Sequence, residues 1–323
     1  YPENLIVMAC DWSEELYDKI HKITVGAGSV SYLLSEAYIK LLSAKDDRAQ
    51  FVFYLQNEKI EFTIRLGGER GHNIEGLENT HFFVEGLRSE PMELKEFFEK
   101  YPPTMFLLNG DTISGCIWTQ YTQVATVRIP DDRIESLVWE EVQYSAESMY
   151  KGSLKRENSV QEYMMKRLVN QGAKVVFNDD NSGESADIVA IFHDADIIRF
   201  EMVHCKYSKD TAGSRLSGLC EVCGQAIVSL RYKWKPEELL KHMERRDNTG
   251  VLKGRRFYYG SKEDIENIRK ALRYSEVNFE FAVAQPGVNI KQLNDEITDF
   301  LSSVYSTVVD MTETKLKCYF NTK

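Results

Sequence analysis

Hydrophobic positions in this chain fall into short runs broken by polar and glycine-rich turns, with helical spacing between some of them. The most informative stretch is residues 186–225. ADIVAIF and DIIRFEMVHCKYS flank His193-Asp194-Ala195, as the two arms of a β-hairpin would, and SGLCEVCGQAIVSL predicts a helix. Side chains alternate faces along a strand, so Met202, His204 and Lys206 share one face. Asp187 opens the preceding strand and is expected to meet the His204 and Lys206 end of the hairpin.

In the first half, residues 5–9 read as a strand and 29–42 as a helix with Leu33, Leu34, Ala37, Leu41 and Leu42 on one side. Residues 50–55 and 60–66 predict a hairpin turning at Asn57 and Glu58. LGGERGHNIEGLENT is a glycine-dense loop without the order of a nucleotide-binding loop. A helix over 91–101 stops at Pro102-Pro103, and a second hairpin joins 105–108 to 112–118 through Asn109-Gly110-Asp111. His21, His72 and His81 are scattered and suggest no ligand set. Residues 1–145 thus predict a mixed α+β domain containing β-hairpins, with a docking or regulatory role as the default.

Residues 131–153 are charged and soft, and a boundary near 145 leaves 146–323 as a second domain. There SVQEYMMKRLVNQG is a helix with Ser159 as cap and Glu162 three residues on. AKVVF, ADIVAIF and the strand ending at His204 follow. A capped helix over 261–272, a strand over 278–284, a long helix over 290–304 and a strand over 315–320 complete the pattern. Alternating helices and strands imply a mixed sheet flanked by helices, an α+β or α/β arrangement.

Composition narrows the class. The 323 residues, with 43% hydrophobic and 28% charged positions, suit a globular chain of two domains. No apolar run is long enough for a membrane span and no signal peptide is visible. The chain opens on Tyr1 rather than Met, as a processed chain or a piece of a longer one would. Six cysteines in this length are not a disulfide framework, so a reducing cytoplasmic setting is expected. Cys220-x-x-Cys223 reads as small buried side chains rather than a zinc pair. Nothing in the pattern selects an oligomeric state.

The net charge of -10 excludes a uniformly cationic surface but not a local one. From His204 to Lys262 there are 13 Lys or Arg against 6 Asp or Glu, a balance of +7. Arg231, Lys233, Lys235, Arg245, Arg246, Arg255 and Arg256 belong to this segment, interleaved with Tyr232, Trp234, Phe257 and Tyr258. Such residues suit phosphate contact and base stacking, which carry little sequence information and leave DNA and RNA both open.

Phosphodiester hydrolysis needs a cation at the phosphorus, a positioned water and a stabilised leaving oxygen. Asp187 is the candidate ligand for Mg²⁺ or Mn²⁺. Lys206 suits the water or the phosphoryl oxygens, Glu162 a further carboxylate acting through water, and Gln225 a hydrogen bond to the lysine, the water or the nucleic-acid backbone. His204 has the parity to bind metal or take a proton. Glu201 is the other candidate metal ligand, but it has the opposite parity and needs a bulge to reach the same place.

The order Glu162, Asp187, His204-Cys205-Lys206, Gln225 resembles the restriction-endonuclease-like, PD-(D/E)XK superfamily across roughly residues 155–235. The resemblance implies that Asp187 is the metal-binding aspartate and that His204-Cys205-Lys206 stands at the acid-x-lysine position. It also implies that Gln225 is the helix glutamine of the branch containing RecB-type nucleases. The fuller string HCKYS, then CEVCGQA, with Val283, Gln285, Pro286 and Gly287 downstream, is similar to C-terminal nuclease domains of bacterial superfamily-2 helicase proteins, several of them from phage-defence systems. His204 departs from the usual acid. The implied activity is metal-dependent DNA cleavage of low sequence specificity in anti-phage defence, with a superfamily-2 helicase in the same chain or complex. The alternative is a catalytically inactive module that binds nucleic acid or a helicase partner.

Overall fold

A computed structural model describes residues 7–16, 19–20, 22–56, 58–69, 71–78, 80–107, 111–120, 127–140, 142–181, 183–208, 212–213 and 216–322. Leu5, Ile6, His21, Asn57, Leu108 and the Asn109-Gly110 turn lie outside this set. The chain divides into two compact units, Tyr1–Thr122 and Gln123–Lys323. This division falls earlier than the boundary near 145 that the soft, charged segment suggests. Ile134–Leu137 is a parallel edge strand beside Lys315–Asn321. Trp139 is buried against the same sheet and donates its indole N–H to the Phe320 carbonyl at 3.2 Å. These apolar residues gain burial in the second unit and so do not serve as a linker.

The described residues of the first unit form a mixed α+β body of three four-stranded sheets. Arg48–Leu55 and Glu58–Leu66 form the expected hairpin, with Phe51 opposite Phe62. Alternation turns Phe51, Phe53 and Leu55 inward, where they meet Trp12 and, from the Leu94–Lys100 helix, Phe97 and Phe98. The segment 29–42 is not a helix. It forms a strand Val30–Leu33, a 3₁₀ turn Leu34–Glu36 and a strand beginning at Tyr38. Its leucines fit helical spacing, but Tyr38, Ile39 and Lys40 alternate exposed, buried, exposed. Pairing with Thr24–Ala27 and Arg48–Leu55 satisfies the backbone in the extended form. Thr104–Leu107 pairs with Thr112–Ser114 as expected, but 112–118 is not one strand: the chain turns after Ser114 and Ile117–Thr119 pairs back on Thr112–Ser114.

The second unit is built on a seven-stranded mixed sheet. Its order is Ile134–Leu137, Lys315–Asn321, Glu276–Asn289, Ile197–Cys205, Ile188–Asp194, Val175–Asn178 and Phe257–Tyr259. Among the last four each strand is antiparallel to its neighbour, whereas Glu276–Asn289 runs parallel to Ile197–Cys205. VVF, IVAIF and FAVA read as continuous apolar runs because helices cover both faces. On one face the Val160–Asn170 helix packs Val160, Met164, Met165 and Leu168 against Ile188, Ala190, Val203, Cys205, Ala282 and Ala284. Burying each of the Val, Met, Leu and Ile side chains stabilises by roughly 1.5–3 kcal/mol. The Ser217–Ser229 helix brings Ser229 to His204, whose strand parity is opposite to that of Val203 and Cys205. The late helix runs Asp295–Thr312, later than 290–304, because Asn294 caps it by accepting the Ile297 N–H at 3.0 Å. No helix among the described residues is long and apolar enough to cross a membrane.

Candidate metal centre

Ile188 lies opposite Val203 in the hairpin, so one residue further out Asp187 comes against His204. His204 Nδ1 is 3.8 Å from Asp187 Oδ2. Glu184, on the preceding loop, completes a trio in which one ligand atom from each residue lies within 4.8 Å of the others. Glu184, Asp187 and His204 can therefore hold a metal ion.

The backbone and one helix fix the aspartate. Gln161 Nε2 donates to Asp187 Oδ1 at 2.8 Å and the Cys205 N–H donates to Oδ2 at 2.8 Å. Gln161 Oε1 accepts the Met149 N–H at 2.9 Å, which sets the orientation of its amide. Burial, then the charges of Asp180 and Glu147, push the Asp187 carboxyl well above its ordinary range. Burial, then Asp187, Asp180 and Asp179, do the same to Glu184. A cation would relieve this crowding. His204 is 2% exposed, and burial lowers its pKa to about 3, so the imidazole is neutral. Its Nδ1 is buried without a hydrogen-bond partner. That orphaned nitrogen beside carboxylates is the observation that fits a metal to these residues.

Lys206 follows the end of the His204 strand. Its Nζ lies 2.7 Å from Glu221 and 3.4 Å from Glu147. Burial acts to lower the lysine pKa, but these carboxylates outweigh it and raise it, so Lys206 is an ammonium. Glu147 accepts the Tyr207 N–H at 2.9 Å, and burial raises its pKa against the pull of Lys206. A Cβ at position 218 would lie 2.7 Å from Gln285 Nε2 and 3.6 Å from Lys206 Cγ. Gly218 thus lets the helix start close against the lysine stem. Gln225 sits on that helix, but its Oε1 is buried without a partner and makes no bond to Lys206.

Glu162 and Glu201 are placed elsewhere. Glu162 closes the capping box, accepting the Asn158 N–H at 2.7 Å, and pairs with Lys155 at 3.1 Å and Lys166 at 3.7 Å. Its neighbour Gln161 is the helix residue that touches Asp187. Glu201 follows its parity to the other side of the sheet, where it accepts from Tyr319 Oη at 2.8 Å and Arg199 Nη1 at 2.7 Å. No bulge intervenes between Glu201 and His204.

The basic segment also divides. Arg246 donates to Asp179 Oδ1 at 2.8 Å and to the carbonyls of Asp179, Asp180 and Asn181 at 2.6, 3.1 and 3.1 Å. Arg256 is 4% exposed and donates to the carbonyls of Asn178 and Asp180 at 3.0 and 3.1 Å. Both are spent inside the protein, clamping the loop that carries Asp180 and leads to Glu184, and neither is a free phosphate contact. Arg255 is exposed, while Arg231, Lys233, Lys235 and Arg245 are half-buried. Lys233 lies 5.4 Å from the Trp234 ring centroid, and Trp234 is 66% exposed.

Glu147, Gln161, Asp180 and Glu184 were not singled out by sequence spacing. The acidic string NDDNSGESAD was the available signal for Asp180 and Glu184. Glu147 and Gln161 gave none, since only the fold brings them near the hairpin. No protein-family model matches the chain, and neither curated proteins nor solved structures give a significant match.

Proposed function

We propose that Gln123–Lys323 is a metal-dependent nuclease of the restriction-endonuclease-like kind that hydrolyses DNA phosphodiesters. The observation that carries this reading is the convergence of Glu184, Asp187 and the orphaned His204 nitrogen on a hairpin whose second strand delivers Lys206. The order of one helix, three antiparallel strands and a second helix supports it, as this is the order underlying the sequence resemblance. A divalent ion held by Glu184, Asp187 and His204 would neutralise phosphoryl charge and acidify a water. Lys206, as an ammonium, donates to a phosphoryl oxygen. Glu147, beside it, accepts a proton. Arg231, Lys233, Lys235, Arg245 and Arg255 supply phosphate contacts and Trp234 a stacking surface, which favours low sequence specificity. Helicase coupling and a role in phage defence rest on the sequence resemblance.

The test is cleavage of supercoiled plasmid and labelled linear duplex with Mg²⁺, Mn²⁺ or EDTA, comparing the native chain with Lys206→Ala. Metal-dependent cutting lost in the variant is the expected result. A second reading, an inactive nuclease-like binding module, is favoured by the ion pairs that occupy Lys206. A folded native chain that binds duplex yet leaves it uncut with either ion would select that reading.

A further inference from the structure

Three hydrogen-bond distances meet at one hydroxyl. Ser229 Oγ lies 2.6 Å from the Ser185 carbonyl, 3.0 Å from the Gln225 carbonyl and 2.7 Å from His204 Nε2. The hydroxyl has one proton, and a carbonyl oxygen can only accept. At 2.6 Å the Ser229–Ser185 contact requires that proton between the two oxygens. Ser229 is then the acceptor from His204, so the imidazole proton is on Nε2. The opposite assignment leaves Ser229 Oγ against two carbonyl oxygens without a proton. It also places an Nδ1–H 3.8 Å from Asp187, too far to bond.

We propose that Ser229 holds His204 as the Nε2–H tautomer, aiming the Nδ1 lone pair at Glu184 and Asp187, so that this centre selects Mn²⁺ over Mg²⁺. This rests on the metal reading above. The donor set is one imidazole nitrogen and two carboxylates. Mg²⁺ demands near-ideal octahedral geometry and dehydrates reluctantly, whereas affinity for a site with a nitrogen donor rises along the first-row transition ions, of which Mn²⁺ is the weakest binder. Ser229 does not touch the ion; it is a positioning residue of the kind that fixes a metal-binding histidine through its other ring nitrogen.

Two measurements separate the layers of this inference. Heteronuclear NMR of ¹⁵N-histidine-labelled, metal-free protein reports which ring nitrogen of His204 carries the proton. Nε2–H is expected in the native chain, and Ser229→Ala should lose that single tautomer. Titration with Mn²⁺ and Mg²⁺ by calorimetry, on protein whose fold is checked by circular dichroism, gives the affinities directly. Mn²⁺ should bind more tightly than Mg²⁺. Ser229→Ala should weaken Mn²⁺ by about tenfold to a hundredfold, and His204→Asp should abolish the preference by restoring an oxygen donor. An Nδ1-protonated His204 in a chain that still binds metal overturns the tautomer and leaves the metal reading standing. Equal affinities for the two ions overturn the selectivity. Binding of neither ion overturns the metal reading itself, and the preference with it.

Discussion

Replacing Asp179 by alanine removes a fully buried carboxylate that accepts four hydrogen bonds. They come from the Ser185 N–H at 2.6 Å, the Ser185 hydroxyl at 2.8 Å, His242 Nε2 at 2.7 Å and Arg246 Nε at 2.8 Å. Arg246 has only 13% of its side chain exposed, so it keeps a poorly solvated charge when its partner goes. Breaking a buried ion pair from one side costs about 3–5 kcal/mol, and that range is the expectation for Asp179→Ala. Orphaned donors are not added to this figure, because they share the same loss. Burial acts to raise the Asp179 pKa, but the His242 imidazole, whose own pKa burial lowers, and the charges of Arg246 and Arg256 outweigh it and hold the carboxyl well below its ordinary range. A carboxyl depressed in the folded state contributes stability above its unfolded pKa, about 4, and loses it as pH falls through the folded value. The difference between native and variant should therefore be full at about pH 7 and shrink below about pH 4. Urea unfolding followed by circular dichroism and tryptophan fluorescence reads it, with the transition of the Trp139-containing unit fitted separately. A loss under about 1 kcal/mol at neutral pH, or a gap that does not narrow in acid, would refute the assignment of Asp179 as the ionised centre of this clamp.

Glu184→Gln should stabilise the metal-free chain by about 0.5–2 kcal/mol while removing its metal-induced rise in melting temperature. A carboxyl raised in the folded state loses stability as pH rises from its unfolded value through the folded one, so the gain should grow as pH rises above about 4. An unchanged or lower melting temperature at pH 8 counts against it. Glu201→Gln should leave Mn²⁺ affinity within about twofold while costing about 1–3 kcal/mol of stability through its buried donors; a tenfold loss by calorimetry would put Glu201 at the metal. Arg255→Ala should leave stability unchanged and lower the salt slope of duplex binding by about 1. Arg246→Ala should instead lower stability by about 3–5 kcal/mol, and parallel salt titrations and urea curves on the two variants distinguish the roles.

Local pattern determined much of this protein. ADIVAIF and DIIRFEMV are apolar and β-branched around a short polar turn, so their hairpin follows from neighbours in sequence, and the antiparallel register then delivers Asp187 to His204. The Ser159 cap was equally legible, because a capping box spans only a few residues. Strand parity separated Glu201 from His204 without any coordinates. Tertiary structure decided what depends on distant partners. Gln161 and Glu162 differ by one helical step, about 100° around the axis, and sequence does not say which faces the hairpin. Segment 29–42 has helical spacing but gains its hydrogen bonds from strands on either side. Charge was the least transferable signal. Arg246 and Arg256 resemble Arg255 in the chain, yet inward carbonyls and Asp179 claim the first two. The proposed His204 tautomer rests on Ser229, 25 residues on, whose one hydroxyl proton goes to a carbonyl and whose oxygen is left to accept from the imidazole. Periodicity records which face is buried, whereas the destination of each donor and acceptor exists only once the elements have met.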